Sequence, residues 1–159
     1  MVLVMLGTQN NSFHRLLEEV EKCINNGIID DEVIVQAGGT KYSSDKMLVL
    51  SLITNEELTK YIERANYVIC HGGVGSIVSS IKAGKKVIAV PRYEKYGEHV
   101  NDHQVQIVES FTEQGFIYGI KDVSELGNAI SKISNFEPNK FVSNTESFIN
   151  IITDFIDNN

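Results

Sequence analysis

Residues 71–76 have the sequence HGGVGS, a combination of residue types that suits the binding of an anion. Glycine lets a ligand approach the backbone closely, and a helix that begins near Gly75 directs unpaired N–H groups and a partial positive charge to the same place. Such a helix start binds a phosphate or diphosphate, and His71 adds a hydrogen-bond donor. Donors already in place also stabilise the charge that develops on a departing diphosphate. Two simpler interpretations stay open: the glycines form only a tight turn, and His71 is a structural histidine.

Other polar or glycine-rich segments follow other predicted strands. They are residues 7–12 (GTQNNS), 36–39 (QAGG), 91–92 (PR) and 98–104 (EHVNDHQ). Because parallel strands end at a common edge of a sheet, these segments are expected to line one cleft with residues 71–76. Taken singly, Arg92 is explained as a solvated charge and Gln104 as a water-facing residue at a helix start. His14 and His99 are equally explained as exposed side chains, but the convergence on one edge favours a binding site.

The elements that position these segments alternate between strand and helix. Strands are predicted at 2–6, 32–36, 47–50, 67–70, 87–90 and 116–118, and helices at 13–24, 55–64, 76–83, 101–114 and 123–133. Ser12 is the expected N-cap of the first helix. A last helix at 139–159 is expected to pack back on the sheet or to dock a partner. The alternation predicts one α/β domain over residues 1–159, a Rossmann-like parallel sheet with helices on both faces.

Composition and charge exclude several kinds of partner. The chain has 159 residues and a net charge of −7 without any lysine- or arginine-rich block, so nucleic acid is not expected to bind. No segment approaches the roughly 20 apolar residues of a membrane span, and residues 1–6 are expected to form a strand rather than a signal peptide. Cys23 and Cys70 are expected to be buried reduced thiols, which fits a cytoplasmic location.

Three segments resemble a known family of enzymes. They are GTQNNSFHRLLEEV at 7–20, VICHGGVGSIVSSIKAGKKVIAVPR at 68–92 and EHVNDHQ at 98–104. They resemble bacterial exopolysaccharide and capsule glycosyltransferase subunits of the PssE or EpsF type. These are similar to the catalytic subunit of the two-component UDP-N-acetylglucosamine transferase of asparagine-linked glycan assembly. Both resemble the C-terminal half of family 28 glycosyltransferases, which have the GT-B fold and bind the sugar donor, usually a UDP-sugar, in that half.

The resemblance implies a role for particular residues. Those expected to bind the donor are Gly7, Thr8, Gln9, Gly38, Gly72, Gly73, Val74, Gly75, Ser76, Arg92, Asn101, His103 and Gln104. The candidate catalytic residues are His71, Glu98 and His14, the last two as local candidates for the general base. No metal and no other cofactor is expected, because the helix start and side-chain donors replace the metal at the diphosphate.

The resemblance also implies a two-component enzyme that moves a hexose from a UDP-sugar to a lipid-linked acceptor in exopolysaccharide or capsule synthesis. A membrane-anchored subunit would supply the acceptor half and recruit this cytoplasmic chain to the inner face of the cell membrane. Larger family members hold the ribose with a glutamate where this chain has Ser79, and a serine binds a hydroxyl less strongly. The alternative is therefore an accessory subunit that stabilises or activates a partner transferase without catalysis. A different dinucleotide binder is disfavoured, because no GxGxxG follows the first strand.

Overall fold

The computed structural model of the protein describes residues 1–141. In this part of the chain, six strands and five α-helices alternate as the hydrophobic pattern predicts. Their bounds are β1 (Val2–Met5), α1 (His14–Asn25), β2 (Val33–Gln36), β3 (Leu48–Leu50), α2 (Asn55–Arg64), β4 (Tyr67–His71), α3 (Val74–Lys82), β5 (Lys86–Val90), α4 (His103–Glu113), β6 (Tyr118–Gly119) and α5 (Leu126–Ile133). Short 3₁₀ helices at Glu94–Tyr96 and Val123–Glu125 precede α4 and α5.

The six strands form one parallel sheet in the order β3-β2-β1-β4-β5-β6. Met5 at the end of β1 is paired with Gln36 of β2 and with Cys70 of β4. The strand order reverses between β1 and β4, so the connections after these two strands run in opposite directions and leave a crevice at their carboxyl ends. This topology confirms the predicted Rossmann-like α/β fold.

Alternate residues of the buried strands supply two separate cores, one on each face of the sheet. In β1, Val4 faces a core that includes Leu17 of α1 and Leu126 of α5. Leu3 faces the opposite core, which α2, α3 and α4 cover with Ile62, Ile77 and Val108 respectively. Strands that are buried on both faces read as continuous apolar runs, which is why the sequence pattern located them.

Several predicted bounds shift in the structure. Helix α3 begins at Val74 rather than Ser76, because Gly73 takes the extended backbone of an N-cap and the helix starts directly after it. Helix α4 begins at His103 instead of residue 101, and the last strand lies at Tyr118–Gly119 instead of 116–118. The predicted helix at 123–133 starts with a 3₁₀ turn.

The predicted N-cap of α1 is wrong. Phe13 occupies the N-cap position without a side-chain cap, and its backbone N–H donates to Thr40 Oγ1 at 3.0 Å. The hydroxyl of Ser12 is buried and has no hydrogen-bond partner among residues 1–141. The helix predicted at 139–159 falls largely on residues 142–159, which lie outside the described residues. Within residues 1–141, no helix combines the length and the hydropathy that crossing a membrane requires.

Candidate functional site

A cleft of about 560 Å³ opens at the carboxyl ends of β1 and β4, the point where the strand order reverses. Its volume falls within the range of roughly 300–1,000 Å³ that is typical of small-molecule sites. Nine of the residues predicted to bind or react with a ligand line it: Gly7, Thr8, Gln9, His71, Gly73, Gly75, Ser76, His103 and Gln104. The structure therefore brings together segments that lie up to 97 positions apart in the sequence, from Gly7 to Gln104.

The start of α3 faces this cleft with its backbone amides open. Gly73 is the N-cap and carries no side chain that could accept from the first turn. Ile77 N donates to Gly73 O at 3.2 Å, so the intrahelical bonds begin only there. The amides of Val74, Gly75 and Ser76 come earlier in the helix and have no intrahelical acceptor. With the helix dipole, they give this wall of the cleft the partial positive charge that binds anions.

Two glycines of the HGGVGS segment have different roles. A Cβ atom added to Gly73 would lie 2.1 Å from Cε1 of His71, so this glycine makes room for the imidazole ring. A Cβ added to Gly75 would meet no protein atom within 4 Å and would project into open space. Gly75 therefore keeps the first turn of α3 accessible to a ligand. The sequence predicted this role for every glycine in residues 71–76.

The first loop is packed against His71 and the second loop. Gly7 has a positive φ of 75°, and a Cβ there would come within 2.5 Å of His71 Nε2. Gly38, with φ of 57°, approaches so closely that its Cβ would lie 2.0 Å from the carbonyl oxygen of Gly7. The side chain of Gln36 accepts from Gly7 N at 3.0 Å and donates to Gly7 O at 2.9 Å. Gly38 does not line the cleft; it lets the two loops meet.

His71 is almost fully buried between these loops and α4. Its Nδ1 lies 3.2 Å from Nε2 of Gln104, and its own Nε2 lies 3.2 Å from Oγ of Ser76. Burial, helped by the charge of Arg92, lowers the pKa of His71 to about 4. The ring is therefore neutral at physiological pH, and it serves the cleft through hydrogen bonding rather than through a positive charge.

The structure does not bring Arg92 to the cleft. Its side chain is 1% exposed, and the guanidinium donates to the carbonyl oxygens of Leu6, Asn11 and Glu98 at 2.7, 2.6 and 3.1 Å. Both sequence interpretations, a ligand contact and a solvated charge, thus differ from what the structure shows. Arg92 ties the first loop to the segment before α4.

Glu98 and His14 also lie away from the cleft lining. The carboxylate of Glu98 is buried and accepts from Nε and Nη2 of Arg15, both at 2.9 Å, and from the backbone N–H of Tyr93 at 3.1 Å. His14 is exposed, and its ring centroid lies 5.9 Å from that of Tyr42. The structure therefore places neither candidate base beside the open start of α3.

Three other predicted binding residues lie next to the cleft without lining it. The side chain of Asn101 is exposed, and its Oδ1 accepts from His103 N at 3.1 Å, so Asn101 shapes the start of α4. Val74 is exposed in the first turn of α3. A Cβ on Gly72 would lie 2.9 Å from Cβ of Gln104, so this glycine allows β4 and α4 to approach closely.

The cleft lining includes eight residues beyond the nine named above. They are Met5, Gln36, Ile53, Asn55, Leu58, Ser79, His99 and Ile107. Gln36 and His99 belong to the segments 36–39 and 98–104 that the sequence placed at this edge, and Ser79 stands at the position expected to hold the ribose. The apolar lining residues follow helical or strand periodicity, so the sequence pattern gave no sign that they line a site. Among residues 1–141, no three or more histidine, cysteine or acidic side chains cluster in a way that holds a metal ion.

Comparison with known proteins assigns this chain to a family. Residues 1–158 match the family model described as the glycosyltransferase family 28 C-terminal domain. The chain is 28% identical over 134 residues to the UDP-N-acetylglucosamine transferase subunit ALG13 of Candida glabrata, covering 82% of this chain and 64% of that protein. It is 24% identical over 111 residues to the protein of the same name from Candida albicans, covering 69% and 36%. The chain thus spans less than two thirds of the length of these curated relatives.

Solved structures share the fold. The solution structure of ALG13 matches with a TM-score of 0.59 and 19% identity over 94% of this chain and 93% of that chain. The glycosyltransferase SnogD of Streptomyces nogalater matches with a TM-score of 0.54 and 18% identity over 84% of this chain and 38% of its own. These similarities show the fold alone, and the second corresponds to one half of a GT-B enzyme. Because the family model spans nearly the whole sequence, this chain belongs to the glycosyltransferase family 28 C-terminal domain family.

Proposed function

We propose that this chain is the donor-binding, catalytic subunit of a two-component glycosyltransferase that takes its sugar from a UDP-sugar. The observation that carries the proposal is the open first turn of α3, where the amides of residues 74–76 and the gap at Gly75 face the cleft. A diphosphate fits this position because it is a compact anion that accepts several N–H bonds at once. The membership in family 28 supports a nucleotide-sugar as the source of that diphosphate.

Other residues that line the cleft suit the nucleoside part of the donor. Ile53, Leu58 and Ile107 offer apolar side chains, and Asn55 offers an amide that can both donate and accept. A pyrimidine base has apolar faces and a polar edge, so it matches this composition. His99 and His103 line the same cleft and offer ring nitrogens that can form hydrogen bonds with a sugar.

Sugar transfer requires the bond between the anomeric carbon and the diphosphate oxygen to break. The diphosphate leaves with the bonding electron pair, the acceptor hydroxyl oxygen attacks the anomeric carbon, and its proton passes to a base. The amides at the start of α3 are fixed before the reaction and would stabilise the charge that builds up on the departing diphosphate. His71 is a weak base at neutral pH, because its pKa is lowered to about 4.

We propose further that a second, membrane-anchored subunit supplies the acceptor side, and that the acceptor is a lipid-linked sugar. The two relatives are both named as subunits, which supports a divided enzyme. Recruitment by that partner would place this chain at the inner face of the cell membrane. Exopolysaccharide or capsule synthesis is the process we propose, on the resemblance of residues 7–20, 68–92 and 98–104.

One observation favours the alternative of a non-catalytic accessory subunit. Ser79 lines the cleft where larger family members are expected to have a glutamate, and its hydroxyl donates to Ser76 O at 3.1 Å. A hydroxyl that is already engaged within α3 holds a ribose less strongly than a carboxylate would. An accessory subunit could bind a nucleotide weakly and still have no turnover of its own.

Calorimetric titration with UDP, UDP-N-acetylglucosamine and UDP-glucose tests donor binding, with GDP-mannose as the control for base selectivity. We expect the uridine nucleotides to bind and GDP-mannose to bind at least about tenfold more weakly. Failure of all uridine nucleotides to bind would refute the proposal.

Turnover separates the enzyme from the accessory. The chain is purified with its co-expressed partner and given a UDP-sugar and a lipid-diphosphate-linked acceptor. We expect sugar transfer that is lost in His71→Ala, with thermal unfolding of the same complex measured to show that it stays assembled. Transfer that survives in a folded His71→Ala complex would assign catalysis to the partner and this chain to the accessory role.

A further inference from the structure

A line of four polar groups connects the buried backbone with the cleft. The backbone N–H of Arg92 donates to Oε1 of Gln104 at 3.2 Å. Nε2 of the same amide lies 3.2 Å from Nδ1 of His71, and Nε2 of His71 lies 3.2 Å from Oγ of Ser76. Ser76 stands in the first turn of α3 and lines the cleft.

The chemistry of the first group fixes the direction of all the others. A backbone N–H can only donate, so the amide oxygen of Gln104 must face Arg92 and its nitrogen must face His71. The amide nitrogen is itself a donor, which leaves Nδ1 of His71 as the acceptor. A neutral imidazole carries one proton, and that proton is therefore on Nε2, directed at Ser76. Once Oγ of Ser76 accepts this bond, its own hydrogen is free to point into the cleft.

Packing prevents the ring and the amide from rearranging. Gln104 and His71 are 4% and 9% exposed. Gly7 and Gly73 touch the imidazole so closely that a Cβ on either would collide with it, and Gly72 does the same beside Gln104. A flipped amide would turn its NH₂ group toward the Arg92 N–H and leave two donors facing each other in a buried place.

The surroundings also keep the ring neutral. Burial, the charge of Arg92 and the nearby His99 all lower the pKa of His71. A cationic ring would need acceptors on both nitrogens, whereas the amide nitrogen of Gln104 can only donate to one of them.

We propose that Gln104 is a positioning residue, which holds His71 in the Nε2–H tautomer so that His71 donates to Ser76 and the Ser76 hydroxyl in turn donates to an anion at the start of α3. The identity of that anion as a nucleoside diphosphate rests on the proposed function. His71 is then a donor in the site and not the base that accepts the proton of the acceptor hydroxyl. Successive donors that point the same way polarise one another, so the last hydroxyl is a stronger donor than an isolated serine.

Nitrogen NMR of the ring tests the tautomer directly. Nitrogen-15-labelled protein gives correlation spectra that distinguish a protonated from an unprotonated ring nitrogen, and His71→Gln identifies the His71 signals by their loss. In the wild-type chain without nucleotide, at neutral pH, we expect Nε2 protonated and Nδ1 unprotonated. A wild-type ring protonated at Nδ1 would overturn the proposal whatever the nucleotide-binding result.

Gln104→Glu should reverse the arrangement. One carboxylate oxygen keeps the bond from Arg92 N–H, and the other accepts a hydrogen bond from Nδ1–H, so the neutral ring then carries its proton on Nδ1. We expect the Nδ1 signal to become that of a protonated nitrogen and the affinity for UDP to fall about tenfold or more. Gln114→Glu, at the exposed far end of α4, carries the same charge change and should alter neither property.

The outcomes separate this proposal from the proposed function. If UDP fails to bind the wild-type chain while the tautomer is as expected, the function is wrong and the positioning role stands. If folded Gln104→Glu keeps an unprotonated Nδ1, the positioning role is wrong even if UDP binds. The wild-type spectrum decides by itself if that variant does not fold.

Discussion

Two polar regions share the carboxyl edge of the sheet and differ in where their hydrogen-bonding groups point. We call them the open region (His71, Gly75, Ser76 and the start of α3) and the closed region (Arg15, Thr40, Arg92 and Glu98). In the open region the amides of α3 face a cleft. In the closed region Arg92 and Glu98 are buried and bonded to protein atoms. Both regions look alike in the sequence, as polar residues that follow buried strands.

The difference teaches what each region can do. Groups that already have protein partners stabilise the loops in one arrangement and lie away from the cleft lining, although Nη1 of Arg15 and Nε of Arg92 are buried without a hydrogen-bond partner among residues 1–141. Arg15 illustrates this: its guanidinium pairs with Glu98, and its Cζ lies 4.6 Å from the ring centroid of Tyr96. Groups that lack partners can bind a ligand but contribute less to folding. Mutations in the closed region should therefore reduce stability, whereas those in the open region should reduce binding.

The largest expected effect is that of Arg92→Met. Three buried carbonyl oxygens, those of Leu6, Asn11 and Glu98, would lose their donor. At about 1–3 kcal/mol for each unsatisfied group, the free energy of unfolding should fall by roughly 3 kcal/mol or more. Urea denaturation measures this, and Arg64→Met on the exposed face of α2 is the control, expected to change stability by less than about 0.5 kcal/mol. An equal loss in both variants would show that the closed region is not special.

The fold could be predicted from the sequence because its signals are local. Apolar runs and helical spacing identified every strand and α-helix of residues 1–141, with shifts of a few residues at their ends. The start of α3 was predicted two residues late because Ser76 opens the helical pattern in the sequence, whereas the N-cap, Gly73, is marked only by its backbone. Local patterns cannot show which of two plausible starts the backbone selects.

The site could be predicted only in part, because its remaining features depend on distant contacts. Arg92 bonds to Asn11, 81 positions away, and Arg15 bonds to Glu98, 83 positions away. No periodicity reports that two such residues meet, so a buried charge and a ligand-binding charge look the same in the sequence. By contrast, the loops that begin at the ends of β1 and β4 must face the crevice, because the strands of the sheet are parallel. Gly7, His71 and Gly75 follow from that rule.

The pH dependence of stability sharpens the comparison within the open region. The pKa of His71 is about 4 in the folded chain, against an ordinary value of 6.5, so between these values the unfolded chain binds the proton more tightly. The contribution of His71 to the free energy of unfolding is therefore fully present above pH 6.5. It is lost as the pH decreases toward 4, by about 3 kcal/mol in total. Denaturation at several pH values should show this slope in the wild type and a smaller one in His71→Gln. An identical slope in both would mean that His71 titrates normally.

Gly75→Leu should separate binding from folding. A Cβ atom there meets no neighbouring atom within 4 Å beside the cleft, and φ at Gly75 is not positive, so the helix accepts a side chain without backbone strain. We expect UDP affinity to fall about tenfold or more, which corresponds to about 1.4 kcal/mol, with an unchanged or slightly raised melting temperature. Gly73→Ala is the contrasting variant, since its Cβ would collide with His71 and lower the melting temperature. Unchanged affinity in folded Gly75→Leu would place the nucleotide elsewhere.

An effect of similar size comes from the hydroxyl that accepts a hydrogen bond at the start of α1. Thr40 Oγ1 accepts from the N–H of Phe13, and both residues are buried. Thr40→Val keeps the shape but leaves that N–H without an acceptor, so unfolding should become easier by about 1–2 kcal/mol. Ser12→Ala is the matched control, because the Ser12 hydroxyl is buried without a partner among residues 1–141 and its removal should cost nothing. Chemical denaturation of both variants decides which residue acts as the cap. A larger loss of unfolding free energy in Ser12→Ala would restore the N-cap predicted from sequence. The start of α1 would then be capped by a neighbouring residue and not by a distant loop.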